Sequence, residues 1–179
     1  MVYRQMVGIS SIGDTTVVTD KWMLGTRNSF FVGIVATLLA TALGTVAALG
    51  LSRPHMPFKA VLMAILISPM IVPLIITAAG MFFFYSKIGL THTYLGLILA
   101  HTALGTPFVV ITVTATLTGF DTNLIRASQS LGADTMRTFF KVIMPLILPG
   151  VISGGLFAFI TSFDEVVIVM FVGSVEQIT

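Results

Sequence analysis

Apolar residues run through this chain in long unbroken stretches, and the interruptions fall where the charges are. No Asp, Glu, Lys or Arg occurs in 28–52, 60–86, 88–120 or 142–163. Each stretch exceeds the roughly 20 residues that a helix needs to cross about 30 Å of hydrocarbon. In lipid only a helix or a closed barrel satisfies every backbone group, and the ten-residue alternation of a barrel strand is missing here. The pattern therefore predicts an all-α, polytopic transmembrane helix bundle with four visible spans, at about 29–51, 60–85, 94–118 and 146–172. Residues 119–145 form the one long internal loop, and 1–28 and 173–179 flank the spans.

Composition agrees. Charged residues make up 9% and apolar residues 56%, with a mean hydropathy of +1.04; a soluble domain carries about a quarter charged residues. A net charge of +2 comes from too few cations to form a nucleic-acid-binding stripe. Having no cysteine, the chain has no disulfide framework and no thiolate metal or nucleophile chemistry. Small residues recur along the first span (Thr37, Ala40, Thr41, Gly44, Ala47, Ala48), as they do where membrane helices approach closely.

Short-loop charges set the orientation. Arg53 and Lys59 lie in the first link and Arg126, Arg137 and Lys141 in the third, against Lys87 in the second. The positive-inside rule puts the first and third links in the cytoplasm, although Arg4, Lys21 and Arg27 of the tail narrow the margin. Both ends then lie outside, and 1–28 shows no cleavable signal pattern. A charged tail of that length seldom crosses unaided, so this topology implies a chain truncated at one or both ends, with a further helix before Met1 and room for another after Thr179. Trp22 and Tyr94 sit near predicted interfaces.

The 119–145 loop carries the most information. Asp121 is placed to cap a short helix in which Leu124, Ala127 and Leu131 share a face, and Gly132 is placed to end it. Asp134 is placed to cap a second helix, with Met136, Phe139, Phe140 and Ile143 on one side and Arg137 and Lys141 on the other. Two short amphipathic helices hinged at a glycine lie along the membrane surface, either as a plain elbow or as a knob for a partner's groove. Pro145 and Pro149 are expected to break the helix before the fourth span.

The spaced run Arg126-Ala127-Ser128, Gly132, then Val142-Ile143-Met144-Pro145 resembles the cytoplasmic signature of binding-protein-dependent ABC importer permeases, Glu-Ala-Ala, three residues, Gly, nine residues, Ile-x-Leu-Pro. Arg126 stands where the family has an acid, so that acid's role is not carried over, and Ser128 replaces an alanine. The resemblance extends over about 29–172. ISPMIVPLI and SFDEVVIVMF are similar to the spermidine/putrescine branch. It implies a coupling loop built on Ala127, Ser128, Gly132, Ala133, Phe139, Val142 and Pro145, gripped by ABC ATPase subunits that hold the ATP and Mg, with no cofactor on this chain. It further implies a second permease subunit, an extracytoplasmic substrate-binding protein, surrounding lipid and a multi-pass place in a bacterial inner membrane.

Asp164 and Glu165 are the only acids in a predicted span. A carboxylate at membrane depth costs a few kcal/mol and faces water or a partner. Residue 164 lies about 27 Å along its span, so the pair either sits solvated at the outer interface or lines a path attractive to a cation. Neighbours on a helix point about 100° apart, so only one can face such a path. Pro69 and Pro73 interrupt the second span, as a static kink or as a moving bend. His101 has no second ligand at metal spacing and reads as a hydrogen-bonded packing residue. A Ser68–His101 hydrolase pair lacks any supporting motif. No Gly-rich Lys-Ser/Thr phosphate loop occurs, so ATP hydrolysis is expected on another chain. A secondary transporter or channel is the rival reading; it explains the intramembrane carboxylates but not the loop.

Overall fold

Helices fill the charge-free runs because helix formation alone lets each segment bond its own backbone. The computed structural model describes residues 14–53, 55–119, 121 and 123–173, with side chains from Met23 onward. The reading of the Trp22 side chain, residues 1–13 of the amino-terminal flank and the end at 174–179 lie outside the described residues. In chain order come α1 (Asp14–Leu51), α2 (Lys59–Ile71), α3 (Leu74–Ile88), α4 (Tyr94–Thr118), α5 (Asn123–Ser130), α6 (Thr135–Thr138), a π-helical turn (Phe139–Ile143), α7 (Met144–Phe163) and α8 (Val167–Val172). Among the described residues three helical runs are long and apolar enough to cross a membrane: Met23–Leu51, Tyr94–Thr118 and Thr135–Phe163. The α2–α3 pair forms a fourth only as a bent whole.

The core is a trio of α1, α4 and α7. Tyr94 donates its hydroxyl proton to Asn28 Oδ1 at 3.2 Å, and Gly44 lies opposite Val109, so α1 and α4 run parallel. α7 runs antiparallel to both, with Ser162 beside His101 and Gly154 beside Val109. Val109 is wedged between two glycines: a Cβ at Gly44 would lie 2.6 Å from its Cβ, and one at Gly154 would lie 2.8 Å from its Cα. Only glycine admits that approach. The small residues of the first span serve this seam, since Ala40, Gly44 and Ala48 are all buried. Threonine hydroxyls on α4 bond back to carbonyls one turn earlier, as Thr102 to Ile98 and Thr106 to Thr102, each at 2.7 Å. Such bonds let a hydroxyl sit in an apolar helix.

Five expectations need correction. Residues 14–28 of the flank are not a separate tail, because α1 starts at Asp14; a helix simply continues past the length of its apolar run. The 60–85 span is not one helix: it breaks at Val72–Pro73 and bends by 103°. Val72 is extended (φ −72, ψ 135), as the residue before a proline prefers. The second loop helix is not a separate surface element, since α6 runs through the π turn into α7, a 29-residue helical run. Pro145 does not stop it: the wider turn, with Met144 N–H bonded to Phe139 O, accommodates the change of register that the ring demands. The fourth span ends at Phe163, and Asp164–Val166 interrupt it before α8.

Because α1 and α4 are parallel, α2 and α3 carry the chain back along the bundle, so the bent pair is a broken span. Leu90, just past α3, packs on the cluster of Val32, Leu97 and Val172 at one end. Leu49, Ile143 and Met144 pack with Ala48 and Val113 at the other.

A cleft between two broken helices and an elbow at the far end

α2 stops where proline chemistry requires. Pro69 has no N–H for the Ile65 carbonyl, and the Ser68 hydroxyl supplies the missing bond at 2.7 Å. Val72 N–H closes the helix on Ser68 O at 3.0 Å. α3 then restarts on the Pro73 carbonyl, which accepts from Ile76 and Thr77. The break faces a cleft of about 390 Å³ lined by Pro69–Leu74, by Leu104 and Phe108 of α4, and by Thr161 and Glu165.

Glu165 belongs to the second break, between α7 and α8. It is 8% exposed, and its Oε1 accepts the Ile168 N–H at 3.0 Å, which tethers the start of α8. Its neighbour Asp164 continues the turn of α7, with its N–H on Ile160 O, and is exposed. The two adjacent acids therefore divide: one carboxylate is held in the cleft, the other is outside it. Two interrupted helices thus meet around one carboxylate, and helix breaks of this kind are what membrane transport proteins use to hold solutes and ions.

Of the path and bend residues read from the sequence, the structure brings Glu165, Pro69 and Pro73 together and leaves Asp164 apart. Leu104 and Phe108, one turn apart on α4, and Thr161, one turn before Glu165, were not singled out. Their i, i+4 spacing is visible in the sequence, but which face meets the break is not. His101 Nδ1 lies 2.7 Å from Ser162 Oγ. Both side chains are buried, and Nε2 has no partner among the described residues. Ser68 and His101 have different partners and form no pair. Among the described residues no His, Asp and Glu cluster suited to a metal occurs.

The loop residues assemble at the opposite end of the bundle. Asp121 Oδ1 accepts from Asn123 N–H at 2.9 Å and Asp134 Oδ1 from Arg137 N–H at 2.8 Å, so both expected caps are present. Gly132 sits at φ +83 in open space. Ala127, Gly132 and Pro145 are exposed, while Ser128, Ala133, Phe139 and Val142 are half-buried. Leu131 at the tip is 88% exposed. The run from α6 to α7 joins this elbow directly to the cleft, over about 43 Å at 1.5 Å per residue.

Comparison with known proteins fits this architecture. Residues 40–178 match the family model described as binding-protein-dependent transport system inner membrane component. The chain is 33% identical over 157 residues to the spermidine/putrescine transport system permease protein PotC of Haemophilus influenzae, covering 88% of this chain and 61% of that protein. It is 29% identical over 153 residues to PotC of Escherichia coli K12, covering 86% and 58%. The sulfoquinovosyl glycerol transport system permease protein SmoH of Agrobacterium fabrum is 28% identical over 138 residues, covering 77% and 48%. The chain thus spans about three-fifths or less of the length of these curated relatives.

Proposed function

The chain belongs to the family of binding-protein-dependent transport system inner membrane components, and from that premise we propose that it is the permease subunit of an ATP-driven importer in a bacterial inner membrane. The family is one of transport components and not of enzymes. A second permease subunit completes the path, an extracytoplasmic binding protein delivers the solute, and separate ATPase subunits hold ATP and Mg. The solute is a small polycation of the spermidine/putrescine type, as the names of the PotC relatives suggest.

One observation carries the solute reading: a buried carboxylate, Glu165, lining a cleft between two helix breaks. An ammonium group entering the cleft would meet that carboxylate and the end carbonyls of α2, and the apolar walls at Leu104 and Phe108 would suit the methylene chain between ammonium groups. Asp164, exposed beside it, draws cations without holding them. At the cytoplasmic end the elbow, from Ala127 through Ser128, Gly132, Ala133, Phe139 and Val142 to Pro145, sits in the ATPase groove. Closure of the ATPases pushes the elbow, the α6–α7 helix carries the push, and the break at Asp164–Val166 lets the cleft open to one side at a time. Pro69 and Pro73 give α2 and α3 the bend that this requires.

The test is reconstitution of the full transporter in liposomes with its binding protein. Uptake of labelled spermidine that requires ATP hydrolysis supports the reading. Uptake driven by an ion gradient without the ATPase transfers the assignment to a secondary transporter, which the intramembrane carboxylate would equally serve.

A further inference from the structure

α5 stands away from the bundle and rests on α6 and the π turn. The turn between α5 and α6 offers no steric clamp, since nothing lies within 4 Å of where a Cβ of Gly132 would be. The backbone bonds there, from Gly132 N–H to Gln129 O and from Ala133 N–H to Ser128 O, close the end of α5 and do not reach α6. Among the described residues a single side-chain hydrogen bond crosses the elbow: Ser128 Oγ to Thr138 Oγ1, at 2.9 Å.

Its direction follows from counting hydrogens. Ser128 Oγ gives its one proton to the Ile125 carbonyl at 2.8 Å, so toward Thr138 it can only accept. Thr138 Oγ1 is therefore the donor. Thr138 is 2% exposed, which shields the bond from competing water. It also sits immediately before the π turn, at the foot of the helix that runs to the cleft. Pushing α5 must either drag Thr138 along or break this bond.

We propose that the Ser128–Thr138 hydroxyl pair is the positioning contact through which the elbow moves the long helix, so that it sets how much solute is carried per ATP. This rests on the ATP-coupled reading above. Thr138 touches neither solute nor nucleotide, and its role is to keep α5 and the helix moving as one body.

The test uses the complete transporter in liposomes, measuring spermidine uptake and ATP hydrolysis in the same preparation. Thr138→Val keeps the shape and removes the donor; Thr138→Ser keeps the donor. The expected result is a drop in spermidine carried per ATP of about fivefold in T138V, the factor that one hydrogen bond of ordinary strength is worth, with T138S restoring the ratio. Ser128→Ala, which removes the acceptor, should lower the ratio as well, and the S128A/T138V double variant should be no worse than the lower single. A ratio in T138V equal to that of the unmodified protein overturns the proposal, as do additive losses in the double variant. Failure of the coupling reading itself shows separately: the unmodified transporter would then import spermidine without its ATPase.

Discussion

α4 buries thirteen of its twenty-five residues, among them Leu97, Ala100, His101, Gly105, Val109 and Val113, whereas α2 buries none of its thirteen. Both helices are almost wholly apolar, so hydrophobicity does not separate them; backbone approach does. α4 meets α1 and α7 across glycine and alanine seams that close to van der Waals contact, while α2 touches α4 only lightly and ends in a proline break. In lipid, burying apolar surface gives no general drive for helices to associate, and close packing with satisfied polar groups takes its place. One side of the molecule is therefore a closely packed frame, whereas on the other α2 buries nothing and α3 buries only Ala78 and Tyr85.

The strongest way to break that contrast is to make one substitution on both sides. Gly154→Leu sets a side chain against the Val109 backbone and should destabilise the bundle by about 3 kcal/mol, the upper range for overpacking. Gly80→Leu on α3, with nothing within 4 Å, should be neutral or should stabilise by up to about 1 kcal/mol through helix propensity. Thermal unfolding of the purified complex in detergent compares the two, and equal losses would end the distinction between frame and pair.

The next effect concerns solute. Glu165→Gln keeps an oxygen for the Ile168 N–H but removes the charge, and spermidine uptake should fall at least about tenfold, as for loss of a charged hydrogen bond. Asp164→Asn should stay within about twofold, the range of a screened surface charge. Reversal of that order would place the path on the other side of α7. Gly132→Val should reduce coupled transport while leaving membrane insertion intact, because a β-branched residue at φ +83 costs roughly 1–3 kcal/mol of strain. Transport at the original level in that variant would count against docking by the elbow. The smallest effect is Ser68→Ala, which leaves the Ile65 carbonyl without its donor. It should lower the melting stability by about 0.5–1 kcal/mol, a loss that would be absent if water replaced the hydroxyl.

Much of the frame could be read from the sequence, because charges are costly in lipid and their absence marks helices directly. The caps at Asp121 and Asp134 and the glycine at positive φ were legible for a similar reason, since each follows from local chemistry. Less legible was whatever depends on how one helix answers another. Pro73 was visible as a bend, yet no local pattern gives its 103° angle or the Leu104 and Phe108 side chains that it faces across the cleft. Pro145 argued for a break, and a wider helical turn absorbed it instead. Helix geometry predicts that adjacent Asp164 and Glu165 cannot both face one side, but which of them is buried depends on the interruption at Asp164–Val166. The His101–Ser162 bond joins residues 61 apart, and no local pattern announces it.

The π turn at Phe139–Ile143 amounts to one surplus residue threaded into an otherwise regular rod. Every position on the elbow side of it is thereby swivelled by about 100° relative to an uninterrupted helix. Deleting a single residue there would restore the ordinary winding and aim the knob at a different compass bearing, with the frame above it undisturbed. The heading of the elbow relative to the bundle is thus written into one extra amino acid.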